Sequence, residues 1–567
     1  MLMLLAAAAV ALAPATMRAQ SDTSAFYQGM NLEGAGHFRD AAVAYRRALA
    51  QPRDRVNALL GLERAYARVG WTDSLLPTVD SLVRLYPGEA AFRGVQLRAY
   101  TMLGRAADAR LAFESWARRM PGQPDAYRAY ARLLLQQGKA AEADSIIRMG
   151  GARLGGTTSL AMELAQSQAA LGQWTASTLT WRTAVAGNPG LDQAAAFALA
   201  PAPATARDSI RNVLLRFPPE AGARRTLSEL EMVWGAPAAA WAALRDLPAD
   251  SATVIAWLDF AQRAEAGEQW ALARNARVAA LRWRPEPGLS IQAATDALNA
   301  GDASTALALL PDSGLDSARV AAYVLPVRAQ ALAQSGKPGE AQALVRAYAR
   351  FLSPGELAPL QEAVAFGWVR RGELDSARVA LHAAGPGADS SAAAGWVALY
   401  EGNLAGARAM LKNSSEVSPQ LAEALGMVTR VEADSATDIG AAFLLLARLD
   451  SSGAAAAFTA MAPRHGDVGS AMLALAARID EARHADSLAV AAWSQVVNNF
   501  PKSPEAAGAE LAWARYLGRT GRTADAVTHL EHLILTYPGS ALVPQARREL
   551  ELARSAIPGT GPGGGRP

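Results

Sequence analysis

Residues 32–48, LEGAGHFRDAAVAYRRA, return in altered form as YARVGWTDSLLPTVDSL at 66–82, YTMLGRAADARLAFESW at 100–116, LLQQGKAAEADSIIRMG at 134–150 and QAALGQWTASTLTWRTA at 168–184. Gly36, Gly70, Gly104, Gly138 and Gly172 therefore stand at an unbroken spacing of 34 residues. A fixed period of this length means that one supersecondary unit has been copied in tandem. Such units stack because none can bury its apolar face alone.

Further columns keep the same register. With each glycine at repeat position 15, position 20 holds Ala41, Leu75, Ala109, Ala143 and Ser177, mostly small residues suited to close helix approach. Position 24 holds Tyr45, Val79, Phe113, Ile147 and Trp181, large knobs that fill the space between units. Position 11 holds Leu32, Tyr66, Tyr100, Leu134 and a polar Gln168. Pro87, Pro121 and Pro189 occupy position 32, with Pro52 one residue early, where a residue lacking an N–H ends the second helix. The A-x3-large pattern with a terminal proline resembles the tetratricopeptide repeat, and residues 22–191 are covered with almost no slippage. The resemblance implies an all-α fold, a right-handed α-solenoid of stacked helix-turn-helix units that binds other proteins.

Beyond residue 191 the spacing loosens while the pattern persists. Gly235, Gly267, Gly301, Gly336, Gly372, Gly402 and Gly521 precede Ala-rich segments, and Ala306/Leu310, Ala377/Leu381, Ala407/Leu411 and Ala526/Leu530 repeat the small-large pair. The stretches 201–205, 383–394 and 412–419 are rich in Pro, Gly, Ser or Ala and are expected as loops. At about 36 residues per unit the chain holds roughly 14 to 15 helix pairs. The expected organisation is a leader at 1–19, a regular array at 20–191, degenerate repeats at 192–468, C-terminal units at 469–557 and a disordered Gly/Pro tail at 558–567.

Hydrophobic residues make up 51% of the chain and alanine, the best helix former, dominates. The formal net charge is +3, and four lysines stand against 51 arginines. A nearly neutral balance offers no phosphate-tracking stripe, so nucleic acid is not an expected partner. Residues 1–13, MLMLLAAAAVALA, are apolar and uncharged, with small-residue cleavage candidates at Ala15 and Ala19, the layout of a secretory signal peptide. Cleavage would leave no integral membrane span, and it points to a periplasmic or secreted protein. The chain has no cysteine, which excludes a lipidated N-terminal cysteine, disulfides and cysteine-ligated metal.

The junctions Asn499-Phe500-Pro501-Lys502-Ser503 and Thr536-Tyr537-Pro538-Gly539-Ser540 lie 37 residues apart, each before an Ala-rich segment. The aromatic closes one helix, the proline stops it, and the serine is expected to cap the next. Here the chain is similar to periplasmic tetratricopeptide proteins of the bacterial cell envelope.

No G-x-x-x-x-G-K-[ST], H-E-x-x-H or G-x-S-x-G motif is present. His529 and His532 share a helix face with Glu531 beside them, but no third and fourth zinc ligands are evident, so neither metal nor cofactor is expected. Asp40, Asp108, Glu142 and Asp525 fall in first turns of second helices, where acids complement the helix dipole.

The resemblance also implies a ligand face. Carried onto this chain, its groove positions fall on Arg64, Arg68, Arg98, Arg128 and Arg132, with Arg515 and Arg519 repeating the theme near the C-terminus. Guanidinium forks suit carboxylates, so an acidic peptide or protein segment is the expected partner. Glu63, Glu89 and Asp125 stand close enough in sequence to neutralise some of these charges. The expected function is a non-enzymatic protein-interaction scaffold of the cell envelope. A helical accessory to an enzyme that processes cell-wall or other glycans is the alternative.

Overall fold

The computed structural model describes residues 24–385, 391–414 and 418–555. The leader with Ala15 and Ala19, the tail at 558–567, and residues 386–390 and 415–417 of the expected loops lie outside them. The described residues are helical throughout and contain no strand, only an isolated antiparallel bridge between Asn403 and Ser435. The regular array consists of the pairs Ala25–Gly34 with Phe38–Ala48, Arg55–Val69 with Leu76–Leu85, Ala90–Met102 with Ala106–Arg119, Asp125–Gln136 with Ala140–Leu154, and Ala161–Ala170 with Trp174–Gly187. In four of these pairs the two helices pack directly on each other, Arg55–Val69 and Leu76–Leu85 each pack on the short 3-10 turn Thr72–Leu75 between them, and first helices of successive pairs also touch.

One backbone hydrogen bond explains the 34-residue glycine. At Gly70 the chain turns into the left-handed region (φ +74°), and Trp71 N–H then reaches back to the Tyr66 carbonyl at 2.9 Å. This six-to-one closure satisfies a carbonyl that the helix end would otherwise leave unpaired, and glycine adopts it without a Cβ penalty. His37 to Leu32, Arg105 to Tyr100, Lys139 to Leu134 and Gln173 to Gln168 repeat it at 2.8–2.9 Å. Position 16 thus bonds position 11 in every unit of the array.

The same closure recurs at the turns after Gly235, Gly301, Gly336, Gly372, Gly402 and Gly521. Gly267 is one residue early: the left-handed residue there is Glu268 (φ +57°), and Gln269 N–H bonds the Ala264 carbonyl at 2.8 Å. Two further turns carry no glycine, at Leu449 (φ +64°) and His484 (φ +59°). They join helix Thr437–Ala447 to Ser451–Met461 and Gly469–Ala482 to Asp486–Asn499, pairs that glycine spacing does not reveal. The 201–205 loop is shorter than expected, since helix Ala204–Leu214 begins inside it.

The packing columns are core. Ala41, Leu75, Ala109, Ala143 and Ser177, like Tyr45, Val79, Phe113, Ile147 and Trp181, are each at most 2% exposed. Tyr45 shows how a knob is seated. Its ring lies between Gly29 and Gly61 on two successive first helices, where an added Cβ would come within 2.6 and 2.5 Å of ring carbons.

The contact pattern divides the chain into two compact units, residues up to Phe260 and residues from Ala261, with the division inside helix Ser251–Ala266. Within each unit the core is a series of local clusters joined by shared aromatics. Tyr100 packs against two neighbouring clusters of the first unit, and Tyr400 and Tyr537 do the same in the second. The apolar run Ile439–Leu446 belongs to helix Thr437–Ala447, which packs on Pro354–Arg371 and Ala392–Tyr400. No helix among the described residues is long and apolar enough to cross a membrane.

The aromatic-Pro junctions are tight turns: Ser503 N–H bonds the Phe500 carbonyl at 3.0 Å and Ser540 N–H bonds the Tyr537 carbonyl at 2.9 Å. Ser503 does not cap the next helix as expected. Its backbone closes the turn, its hydroxyl is buried without a partner, and helix Ala506–Arg519 begins after Glu505.

Leu449 is 79% exposed, so its side chain contributes little packing while its backbone carries left-handed strain. Leu449→Gly is expected to stabilise the protein by about 1 kcal/mol, and Gly70→Leu to destabilise it by a similar amount. Thermal unfolding followed by circular dichroism checks both signs.

Candidate interaction groove

Arg64, Arg98, Arg128 and Arg132 all project from first helices of consecutive repeats, because their positions recur with the helix and repeat periods. Arg64 forms a two-pronged pair with Glu33 of the preceding repeat, Nε to Oε1 at 2.8 Å and Nη2 to Oε2 at 2.9 Å. Arg98 does the same to Glu63, both contacts at 2.7 Å. Arg68 lies over the Phe38 ring, 6.0 Å from its centroid. Each of the two ion pairs is a rung between adjacent repeats.

Electrostatics at the first rung follow from its geometry. The hydrogen-bonded Arg64 guanidinium holds the Glu33 carboxyl below its usual range; burial opposes this, and the Tyr45 hydroxyl and the fields of Arg64 and Arg68 add to it. Burial, followed by the hydrogen bond to Glu33, pushes the Tyr45 phenol up to about 12. Tyr45 therefore stays protonated and donates to Glu33 Oε2 at 2.5 Å.

Arg128 and Arg132 are arranged differently. Both turn forward to Glu163 on helix Ala161–Ala170, a residue only 1% exposed. Arg132 approaches its Oε1 through Nε at 2.8 Å and Nη2 at 2.7 Å, and Arg128 Nε lies 3.5 Å from the same oxygen. Arg128 also donates to the Ser159 carbonyl at 2.8 Å and to Asp125 at 3.3 Å. The two guanidiniums open onto one cavity of about 760 Å³, whose walls include Thr157, Thr180, Thr183 and Asn188. Of the five arginines that the sequence marks as a ligand face, Arg128 and Arg132 line this cavity, while Arg64, Arg68 and Arg98 do not.

The sequence pattern did not single out Glu163. Its signal is an acid within AMELAQSQAA, a helix otherwise made of apolar and neutral residues. Near the C-terminus the rungs return: Arg515 pairs with Glu549 and Arg519 with Glu481 of adjacent repeats, at 2.6 and 2.9 Å.

His529 and His532 do share a face, yet the acid they meet is Glu510 rather than Glu531. Both Nδ1 atoms lie 2.9 Å from Glu510 Oε1, whereas Glu531 is paired with Arg554. The reason is topology: Glu510 stands on Ala506–Arg519, the partner helix of Thr523–Thr536, and faces the imidazoles across the pair. Among the described residues no group of three or more His, Asp or Glu is arranged to hold a metal ion.

No protein-family model matches the sequence, and no curated protein matches it. Two solved structures align along most of the chain. One is the APC/C hetero-tetramer Cut9-Hcn1, 12% identical over 93% of this chain and 95% of that one, with a TM-score of 0.22. The other is Naa15/Naa10 bound to HypK-THB, 13% identical over 94% of this chain and 86% of that one, with a TM-score of 0.27. Scores this low carry no argument about the site, so the class rests on the chain's own turns and packing columns. They define an all-α helical-repeat solenoid. Within that class the unit is tetratricopeptide-like, a helix-turn-helix of 34 residues closed by a left-handed glycine.

Two outcomes test the groove chemistry. Glu163→Ala removes the buried carboxylate that two guanidiniums share and is expected to cost about 2 kcal/mol, moderated by the partial exposure of both arginines. Urea unfolding midpoints measure this. At the first rung, a carboxyl with a depressed value contributes stability that is present above its ordinary 4.5 and is lost as pH falls through the folded value. Unfolding midpoints taken from about pH 6 to about pH 3 should fall less steeply for Glu33→Gln than for wild type.

Proposed function

We propose that this chain is a non-enzymatic protein-interaction scaffold of the bacterial cell envelope, exported by its leader, that holds peptide or protein segments on its first-helix face. Helical repeats of this kind present long surfaces built from recurring positions, which suits them to binding extended partners. The observation that carries the reading is the cavity where Arg128 and Arg132 meet at the buried carboxylate of Glu163, with Asp125 beside Arg128. A guanidinium has five N–H donors, and Arg132 directs only Nε and Nη2 at Glu163. An acidic partner group supplies the acceptors that the arginines retain capacity for. The apolar leader and the two aromatic-Pro junctions support the envelope setting.

The test combines capture and titration. Partners crosslinked in the envelope fraction are identified by mass spectrometry and then titrated against wild type and Arg128→Gln/Arg132→Gln. Glutamine is the chosen substitute because a reversal at Arg132 would set a new carboxylate against buried Glu163, as one at Arg98 would against Glu63. The expected result is an affinity at least about ten-fold lower in the double variant, together with a weaker dependence on salt. Equal affinity of the two proteins at low salt counts against the groove. Recovery of the intact leader on cytosolic protein counts against the envelope.

A further inference from the structure

Consecutive helices of the array reverse direction, so the glycine turns lie at one end of the pairs and the loops between pairs, 49–54, 86–89 and 120–124, lie at the other. That second edge is basic. Arg53, Arg84, Arg118 and Arg119 stand on it exposed and make no ion pair among the described residues, whereas Arg64, Arg98, Arg128 and Arg132 on the first helices all meet carboxylates. Arg55 donates to the Leu49 carbonyl and lies 4.6 Å from the centre of the Tyr86 ring. Arg93 is buried and donates to the Pro87 carbonyl; burial, followed by the field of Arg119, lowers its hold on its proton. The acids of these loops and of the helix starts that follow them are Asp54, Glu89 and Asp125. Glu89 accepts from the Ala91 N–H, and Asp125 is paired with Arg128.

Helix ends account for half of this charge. Arg84, Arg118 and Arg119 close second helices, where cations complement the dipole, but Arg53, Arg55 and Arg93 stand before or within the first turn of first helices, where the dipole opposes them. Apolar side chains are exposed in the same kind of loop. Leu85, 67% exposed, and Tyr86 follow Arg84, and further along the same unit Leu215 and Phe217, the latter 91% exposed, flank Arg216 in the loop before helix Ala221–Val233. We propose that this edge of the first unit docks on an anionic phospholipid surface, its arginines against headgroup phosphates and Leu85, Tyr86, Leu215 and Phe217 inserted among the headgroups. Both chemistries select that occupant. Phosphates supply the negative charge that three acids, one of them already paired, do not, and the boundary of the acyl region takes up apolar side chains that a soluble polyanion would leave in water. The surface is distinct from the first-helix groove, and the chain's near-neutral total conceals it because the groove arginines are matched by acids and these are not.

Vesicles of phosphatidylglycerol mixed with phosphatidylcholine, and of phosphatidylcholine alone, are titrated with protein and separated by flotation. The full chain and the chain from Gln20, which keeps every described residue, are both used, so that the apolar leader does not supply the binding. The edge variant is Arg84→Gln/Arg118→Gln/Arg119→Gln. Its charge-matched control is Arg105→Gln/Arg110→Gln/Arg148→Gln, which removes three exposed arginines that are paired with Asp108, Glu114 and Asp144 in the same array. Binding should require phosphatidylglycerol and weaken as salt rises. The edge variant should bind about ten-fold or more weakly and the control should bind as wild type does. Leu85→Ser/Phe217→Ser, which leaves every charge in place, should also weaken binding about ten-fold. Circular dichroism checks that each variant folds.

Absence of binding from the chain that starts at Gln20, equal binding to both kinds of vesicle, or equal loss in the edge variant and its control would overturn the proposal. A random-sequence DNA duplex bound as tightly as the vesicles, with loss in the edge variant and none in Leu85→Ser/Phe217→Ser, would assign the edge to a soluble polyanion and overturn the lipid surface. Each of these results leaves the groove reading standing, because Arg128 and Arg132 are intact in every variant.

Discussion

Everything in the repeat depends on one closure, the backbone N–H that reaches five residues back across a left-handed turn. Among the described residues it joins fourteen helix pairs, with the turning residue at φ between +57° and +81° and the hydrogen bond at 2.8–3.0 Å. It ends the first helix without leaving its last carbonyls unpaired, and it reverses the chain within three residues so that the second helix returns along the first. The packing columns have meaning only after that reversal. Tyr45 can lie between Gly29 and Gly61 because successive turns deliver first helices at a constant offset.

That dependence explains what was legible in the sequence. Where glycine occupies the turn, period, pairing and core could be read directly, and the residues at positions 20 and 24 are buried in all five units of the array. Where Glu268 occupies it, the neighbouring Gly267 marks the turn one residue early; where Leu449 or His484 occupies it, the backbone adopts the same shape but the letter changes, so the pattern falls silent while the structure continues. Glycine is sufficient for the turn, and the surrounding packing can impose the turn on other residues. The single helix Pro419–Val428 and the crossing of Thr437–Ala447 over two earlier first helices had no sequence signal, since helix propensity says nothing of direction.

The groove was legible in part. Recurrence places Arg64, Arg98, Arg128 and Arg132 on first helices, and a periodic pattern can establish that much. It does not establish which acid each one meets, because the partners stand 31 to 35 residues away and on either side: Glu33 and Glu63 precede their arginines and Glu163 follows. The change of direction occurs between the third and fourth repeats. It gathers two guanidiniums on one buried carboxylate, where the earlier rungs match one to one. A difference between repeats, rather than a property of the repeat, makes that place chemically distinct.

Tyr100, Tyr400 and Tyr537 each belong to two neighbouring clusters at once. A stack whose layers touched only along smooth faces could lose its end layer cleanly, like a slice from a loaf. Here the layers are stitched: peeling one away strips a ring from the core of the next, so damage at an end is passed inward. Fraying within either unit therefore resembles a zip whose teeth overlap, slow to start and quick to run. A segment lying across several first helices acts as a clasp on that zip, which couples occupancy of the groove to the endurance of the repeats beneath it.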